Sequence, residues 1–130
     1  MKSEPTPHEN AIASRVIGCA ITVHRTLGPG LLESVYEACF THELAKAGFD
    51  VHRQKPQRIV YDGMVLEDAL RLDLVVNDTI LIEVKAVEKV QPIHKAQLRT
   101  YLKLANRRLG LLINFNSELI KKRHSSCGER

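Results

Sequence analysis

Between Leu70 and Val87 the chain reads LRLDLVVNDTILIEVKAV, two apolar runs joined by Asn77-Asp78-Thr79. β-Branched residues and Leu on either side of a polar break predict an antiparallel hairpin. Three ionisable residues interrupt the apolar pattern: Asp73 in the first run, Glu83 and Lys85 in the second. If Asn77, Asp78 and Thr79 form a three-residue turn, Asp73 and Glu83 lie equally far from Asp78 and oppose one another. Side chains alternate along a strand, so Glu83 and Lys85 share a face and Asp73 joins them there. A two-residue turn at Asn77-Asp78 would set Asp73 against Ile82 instead, and only a bulge would restore the group.

Charges buried in a sheet are costly unless they are paired or bound to a metal. For any one such residue the ordinary arrangement is an ion pair, here Lys85 with Glu83 or Asp73. Three converging groups strain that account, because one ammonium cannot neutralise two close carboxylates. A divalent cation can. Hard oxygen ligands from Asp73 and Glu83 suit Mg²⁺ or Mn²⁺, with waters completing the shell. Lys85 could then orient or deprotonate an attacking water, or offset charge developing on a phosphate.

At 130 residues, 44% of them apolar, the chain is expected to form one globular domain with a real core. Nineteen Lys and Arg against 15 Asp and Glu leave a net charge of +4, which permits a polyanionic partner without demanding one. Denser basic patches occur at Arg107-Arg108 and Lys121-Lys122-Arg123. Cys19, Cys39 and Cys127 lack C-x-x-C spacing and are odd in number, so they read as reduced thiols of a cytoplasmic protein. The opening MKSEPTPHEN has no apolar core of a leader, and no run approaches membrane-spanning length.

In chain order, residues 1–8 are polar and read as a disordered tail. The single domain is expected over 9–123, and residues 124–130 read as a second disordered tail. From about Glu9 or Asn10, apolar residues at Ile12, Val16, Ala20, Val23 and Leu27 predict an amphipathic helix ending at Gly28-Pro29-Gly30. Ile17, Cys19 and Ile21 widen its stripe, which suits burial within the fold or a homodimer contact. His24 has no partner at metal spacing and reads as a packed or surface histidine. A second helix is expected over about 31–47. Gly30, Glu33 and Tyr36 fall along one side of its first turns, where an acid complements the helix dipole.

Phe49–Tyr61 predicts a strand, with Pro56 favouring an edge position or a bulge. Asp62-Gly63 turns the chain into the next strand. Pro92 suits the first position of a helix to about Asn106, whose inward stripe would be Ile93, Gln97, Tyr101 and Leu104. A polar Gln97 in that stripe needs a partner, and the carboxylate face of the hairpin is the nearest. Leu109–Phe115 is a continuous apolar run that predicts a buried strand, closing a right-handed βαβ crossover.

The order α-α-β-β-β-α-β, with acids on the middle strands, resembles the core of the PD-(D/E)XK nuclease superfamily. More narrowly, LGPGLLESVYE with Gly30-x-x-Glu33-x-x-Tyr36 resembles the GxxExxY family of small bacterial proteins within it. So do LDLVV around Asp73, IEVKAVEKVQPIHKAQLRTYL and LGLLINF. The resemblance spans roughly Ile12 to Lys122. It implies an α/β fold with a four-stranded mixed sheet flanked by helices. It also implies that Asp73 and Glu83 bind metal with Glu33 in support, and that Asp73, Glu83, Lys85 and Gln97 carry catalysis. Gln97-x-x-x-Tyr101 is similar to a Q-x-x-x-Y motif that positions substrate, and Tyr36 is grouped with that role. Leu72 stands where the superfamily label has Pro.

The expectation is a Mg²⁺- or Mn²⁺-dependent nuclease acting on nucleic acid, DNA in preference to RNA. The alternative is an inactive nuclease-fold module that binds nucleic acid or a protein partner. Few aromatic residues argue against a dedicated strand-stacking binder. A small-molecule metallohydrolase is a third reading.

Overall fold

The computed structural model describes residues 4–117 and 125–126. Its elements are α1 (Pro7–Leu27), α2 (Glu33–Lys46), β1 (Val51–Tyr61), β2 (Met64–Val76), β3 (Ile80–Lys85), α3 (Pro92–Leu104), β4 (Leu109–Asn114) and the short β5 (Ser125–Ser126). The sheet order is β1-β2-β3-β4-β5. All neighbours run antiparallel except β3 and β4, which are parallel across the α3 crossover. The expected α/β architecture with its four-stranded mixed sheet stands, extended beyond β4 by the two-residue β5, and Pro56 does lie on an edge strand.

Helix α1 begins two residues before the expected Glu9. Thr6 Oγ1 accepts from the Glu9 N–H at 3.1 Å and the Thr6 N–H donates to Glu9 Oε1 at 2.8 Å, a reciprocal cap with Pro7 behind it. The tail expected over 1–8 shortens accordingly, and residues 1–3 lie outside the described residues. At the other end, Ser125 and Ser126 of the expected 124–130 tail pair with Gly110 and Leu109. A free strand edge offers N–H and C=O groups to any extended segment, whatever its side chains. His124, Lys121-Lys122-Arg123 and Cys127 fall outside the described residues.

The sheet carries a core on each face. Ile12, Val16, Ile17, Ala20 and Val23 of α1 and Tyr36, Phe40 and Leu44 of α2 cover Leu74, Ile80, Ile82, Val84, Leu111 and Ile113. The broad apolar stripe of α1 is thus consumed inside the fold: Ile17 is buried, and Cys19 and Ile21 pack against the same cluster. The motive for a homodimer through α1 goes with it. His24 is also buried, its Nε2 2.6 Å from the Ser117 carbonyl.

On the opposite face, Leu98 and Leu102 of α3 cover Leu72, Val75 and Leu81. The inward stripe of α3 is therefore rotated from the expected one, and Ile93 is 69% exposed. Gly110 supplies the reason. A Cβ there would lie 2.9 Å from Leu98 Cδ1 and 3.1 Å from Leu102 Cδ1, so the bare backbone of β4 lets the leucines seat against it.

Candidate active site

The β2–β3 hairpin turns at Asn77 and Asp78, both with positive φ (52° and 50°), and the Thr79 N–H donates to the Val76 carbonyl at 3.0 Å. Asn and Asp tolerate that conformation better than other side chains. Thr79 is the extra residue beyond this tight turn. Val76 pairs with Ile80, Val75 with Leu81 and Leu74 with Ile82, which centres the ladder on Asp78 as expected.

Regular pairing stops one step further, at Asp73 and Glu83. There the carboxylates take over from the backbone. Asp73 Oδ2 accepts the Val84 N–H at 2.9 Å, and Glu83 Oε2 accepts the Asp73 N–H at 3.4 Å. Each acid thus reaches across to the other's strand. Alternation along β2 also breaks at this point, because Leu74 belongs to the α1–α2 core and Leu72 to the α3 core. Asp73 consequently lines a cleft with α2 residues, a placement that simple alternation on the Glu83 and Lys85 face would not give.

Burial is the largest influence on both acids, and it raises the pKa of each. Glu83 is only 5% exposed, and burial together with the Asp73 charge pushes it up to about 8. Asp73 is raised by burial and by the charges of Glu37 and Glu33, against the Val84 hydrogen bond and Lys85. Lys85 is half-buried on β3 and lowers both values, yet it forms no salt bridge with any described residue. The simple ion pair weighed from the sequence is absent among those residues.

The structure brings some of the expected residues together and separates others. Glu33, exposed at the start of α2, lines an open cleft of about 610 Å³ with Leu32, Ser34, Glu37, Arg53, Gln54 and Asp73. Among the described residues no three His, Cys, Asp or Glu side chains converge as a metal-holding group, so Glu33 does not close on Asp73 and Glu83. Gln97 is half-buried on the flank of α3, and its Nε2 donates to Tyr101 Oη at 2.9 Å. The pair expected from the sequence is real, but the bond of Gln97 runs to Tyr101 rather than to a carboxylate.

Tyr36 is turned away from the cleft. It is fully buried, stacked on Phe115 with ring centroids 4.9 Å apart. Its hydroxyl donates to the Gly28 carbonyl at 2.5 Å and accepts the Leu31 N–H at 3.0 Å. That clamps the α1–α2 connection and leaves no role in positioning substrate. Tyr36→Phe is expected to cost about 1 kcal/mol in urea melts, because the part-buried Gly28 carbonyl and Leu31 N–H lose their partner.

Four residues went unseen in the sequence. Glu37, four positions after Glu33, is 5% exposed and accepts hydrogen bonds from Arg53 and Gln54. Helical spacing from Glu33 was the available signal. Asn114 pairs with Lys85 in the β3–β4 ladder. Its side chain accepts the Val87 N–H at 3.1 Å and donates to the Val87 carbonyl at 2.8 Å, fixing the backbone that leaves Lys85.

A family model described as the PD-(D/E)XK nuclease superfamily matches residues 10–126. No curated protein and no solved structure matches the chain. No helix among the described residues is long and apolar enough to cross a membrane.

Proposed function

The chain belongs to the PD-(D/E)XK nuclease superfamily, and from that membership and the site's geometry we propose a metal-dependent nuclease that hydrolyses phosphodiester bonds of DNA or RNA. One observation carries the reading. Asp73 and Glu83 cap the end of a ladder with raised proton affinities, while Lys85 stands nearby and pairs with neither. Two crowded carboxylates are a poor way to stabilise a fold and a good way to hold a hard cation.

Mg²⁺ or Mn²⁺ fits this all-oxygen donor set and would supply Lewis acidity toward a phosphate oxygen. Asp73 and Glu83 are its proposed ligands, with Glu33, which lines the cleft beside Asp73, in outer support. The two N–H groups that hold the acids fix their orientation, so the site is pre-shaped on rigid strands. Lys85, which forms no ion pair among the described residues, offsets negative charge developing on phosphorus oxygens and holds the attacking water. Tyr101, accepting from Gln97, keeps its own proton to donate toward a substrate phosphate or a water.

Within the superfamily we place the chain in the GxxExxY group. Supporting this, Gly30 has φ 103° and donates its N–H to Asn116, Glu33 opens α2, and Tyr36 ties the loop between them. The free thiols Cys19 and Cys39 suit a reducing cytoplasm.

Cleavage of a mixed DNA and RNA pool in Mg²⁺, Mn²⁺ or EDTA, beside Lys85→Ala, tests the proposal. Cleavage that needs the cation and Lys85 is expected. Cation-supported binding without any cleavage would favour the inactive nucleic-acid module instead.

A further inference from the structure

Arg53 and Gln54 are consecutive residues of β1, and in a regular strand their side chains would point to opposite faces. Here both reach the same carboxylate. Arg53 Nε donates to Glu37 Oε2 at 2.7 Å, and Gln54 Nε2 donates to Oε1 and Oε2 at 3.0 and 2.9 Å. The backbone makes this possible through a left-handed Gln54 (φ 54°), uncommon for a residue with a side chain and sustained where its surroundings over-determine it. Gln54 lies where β1 passes Asp73, between the Arg53–Leu74 and Lys55–Leu72 pairs. The irregularity therefore sits directly beside the candidate site.

We propose that Arg53 is a phosphate-binding residue of this cleft. Its Nε is fastened to buried Glu37, and its outer guanidinium nitrogens are presented to a phosphate of the nucleic-acid strand that passes Asp73. The inference rests on the nuclease reading above and assigns it a substrate contact. Among the described residues no hydrogen bond engages Arg53 Nη1 or Nη2, and the side chain is 41% exposed where it lines the cleft. A planar fork with one edge fixed by a carboxylate is pre-oriented, and its other edge matches two phosphate oxygens.

The test measures binding of fluorescein-labelled DNA and RNA oligonucleotides by anisotropy in Mg²⁺, in a Lys85→Ala background, from about 50 to 200 mM KCl. Adding Arg53→Ala is expected to weaken binding by on the order of tenfold. It should also reduce the slope of log affinity against log salt by about 0.9 for duplex or about 0.7 for single strands. Glu37→Gln keeps the charge but loosens its anchor, so affinity should fall with the slope unchanged. Arg53→Ala/Glu37→Gln removes the charge together with its buried partner. It guards against misfolding of the single variant and should show the same slope change. If the parent binds with wild-type salt dependence and the folded double variant keeps that slope, Arg53 is only a structural partner of Glu37 and the inference fails alone. If the parent binds no nucleic acid and the wild type cleaves none, the nuclease reading falls and takes this inference with it.

Discussion

Lys85→Ala is expected to retain its fold and its response to Mg²⁺ while turnover on nucleic acid drops by a factor on the order of 10² or more. The structural ground is that Lys85 makes no salt bridge with a described residue, so truncation leaves no buried partner unpaired. Its positive charge would repel a cation held by Asp73 and Glu83, so removing it should leave cation binding unchanged or modestly tighter. Asp73→Asn and Glu83→Gln belong to a different class. Each deletes a ligand charge at nearly constant shape, and each should abolish hydrolysis through lost metal affinity. In EDTA their melting temperatures should hold or rise, because two crowded carboxylates no longer repel. Gln97→Ala should fall between, weakening substrate positioning more than metal binding. Single-turnover cleavage and thermal melts in Mg²⁺, Mn²⁺ and EDTA measure all four. A structural ion-pair site gives the reverse ordering, with every charge change lowering the melting temperature and divalent ions altering nothing. That pattern would remove the physical basis of the nuclease reading.

The register leading up to Asp73 and Glu83 was legible because the turn that sets it lies only a few residues away, in Asn77-Asp78-Thr79. The other wall of the cleft was not legible, and β2 shows why. Counting outward from Asp62-Gly63, Tyr61 pairs with Met64, Val60 with Val65 and Ile59 with Leu66. Extending that register would set His52 against Asp73. Between Ile59 and Gln57 the register shifts, with Asp68 on the opposite strand at φ 52°, so Leu70 pairs with Gln57. Gln54 rather than His52 then comes beside Asp73, and Arg53 and Glu37 come with it. No local pattern announces such a shift, because Glu67, Asp68 and Ala69 are ordinary surface residues in sequence. The rotation of α3 was hidden for a related reason. Its face is chosen by the missing side chain of Gly110 on another strand, not by the spacing of its own apolar residues.

Raising the pH from about 4.5 to about 8 in EDTA is expected to destabilise the protein relative to Glu83→Gln. Burial and the Asp73 charge lift Glu83 from its usual 4.5 to about 8 in the folded state. Across that window the native protein holds a proton that the unfolded chain has released, so unfolding releases it and stability falls as pH rises. The contribution is fully present below pH 4.5 and fully lost above about 8. One proton corresponds to about 1.4 kcal/mol for each pH unit crossed. Urea melts of both proteins at each pH cancel the other carboxylates. A bound cation inverts the effect, since it takes the deprotonated pair. Apparent Mg²⁺ or Mn²⁺ affinity should climb up to about tenfold per pH unit until about pH 8 and then level off. Calorimetric titration in two buffers of different ionisation enthalpy should register the released proton without any substrate present. Affinity that stays flat between about pH 6 and 8, with no proton released, would mean that Glu83 is not the acid that receives the metal.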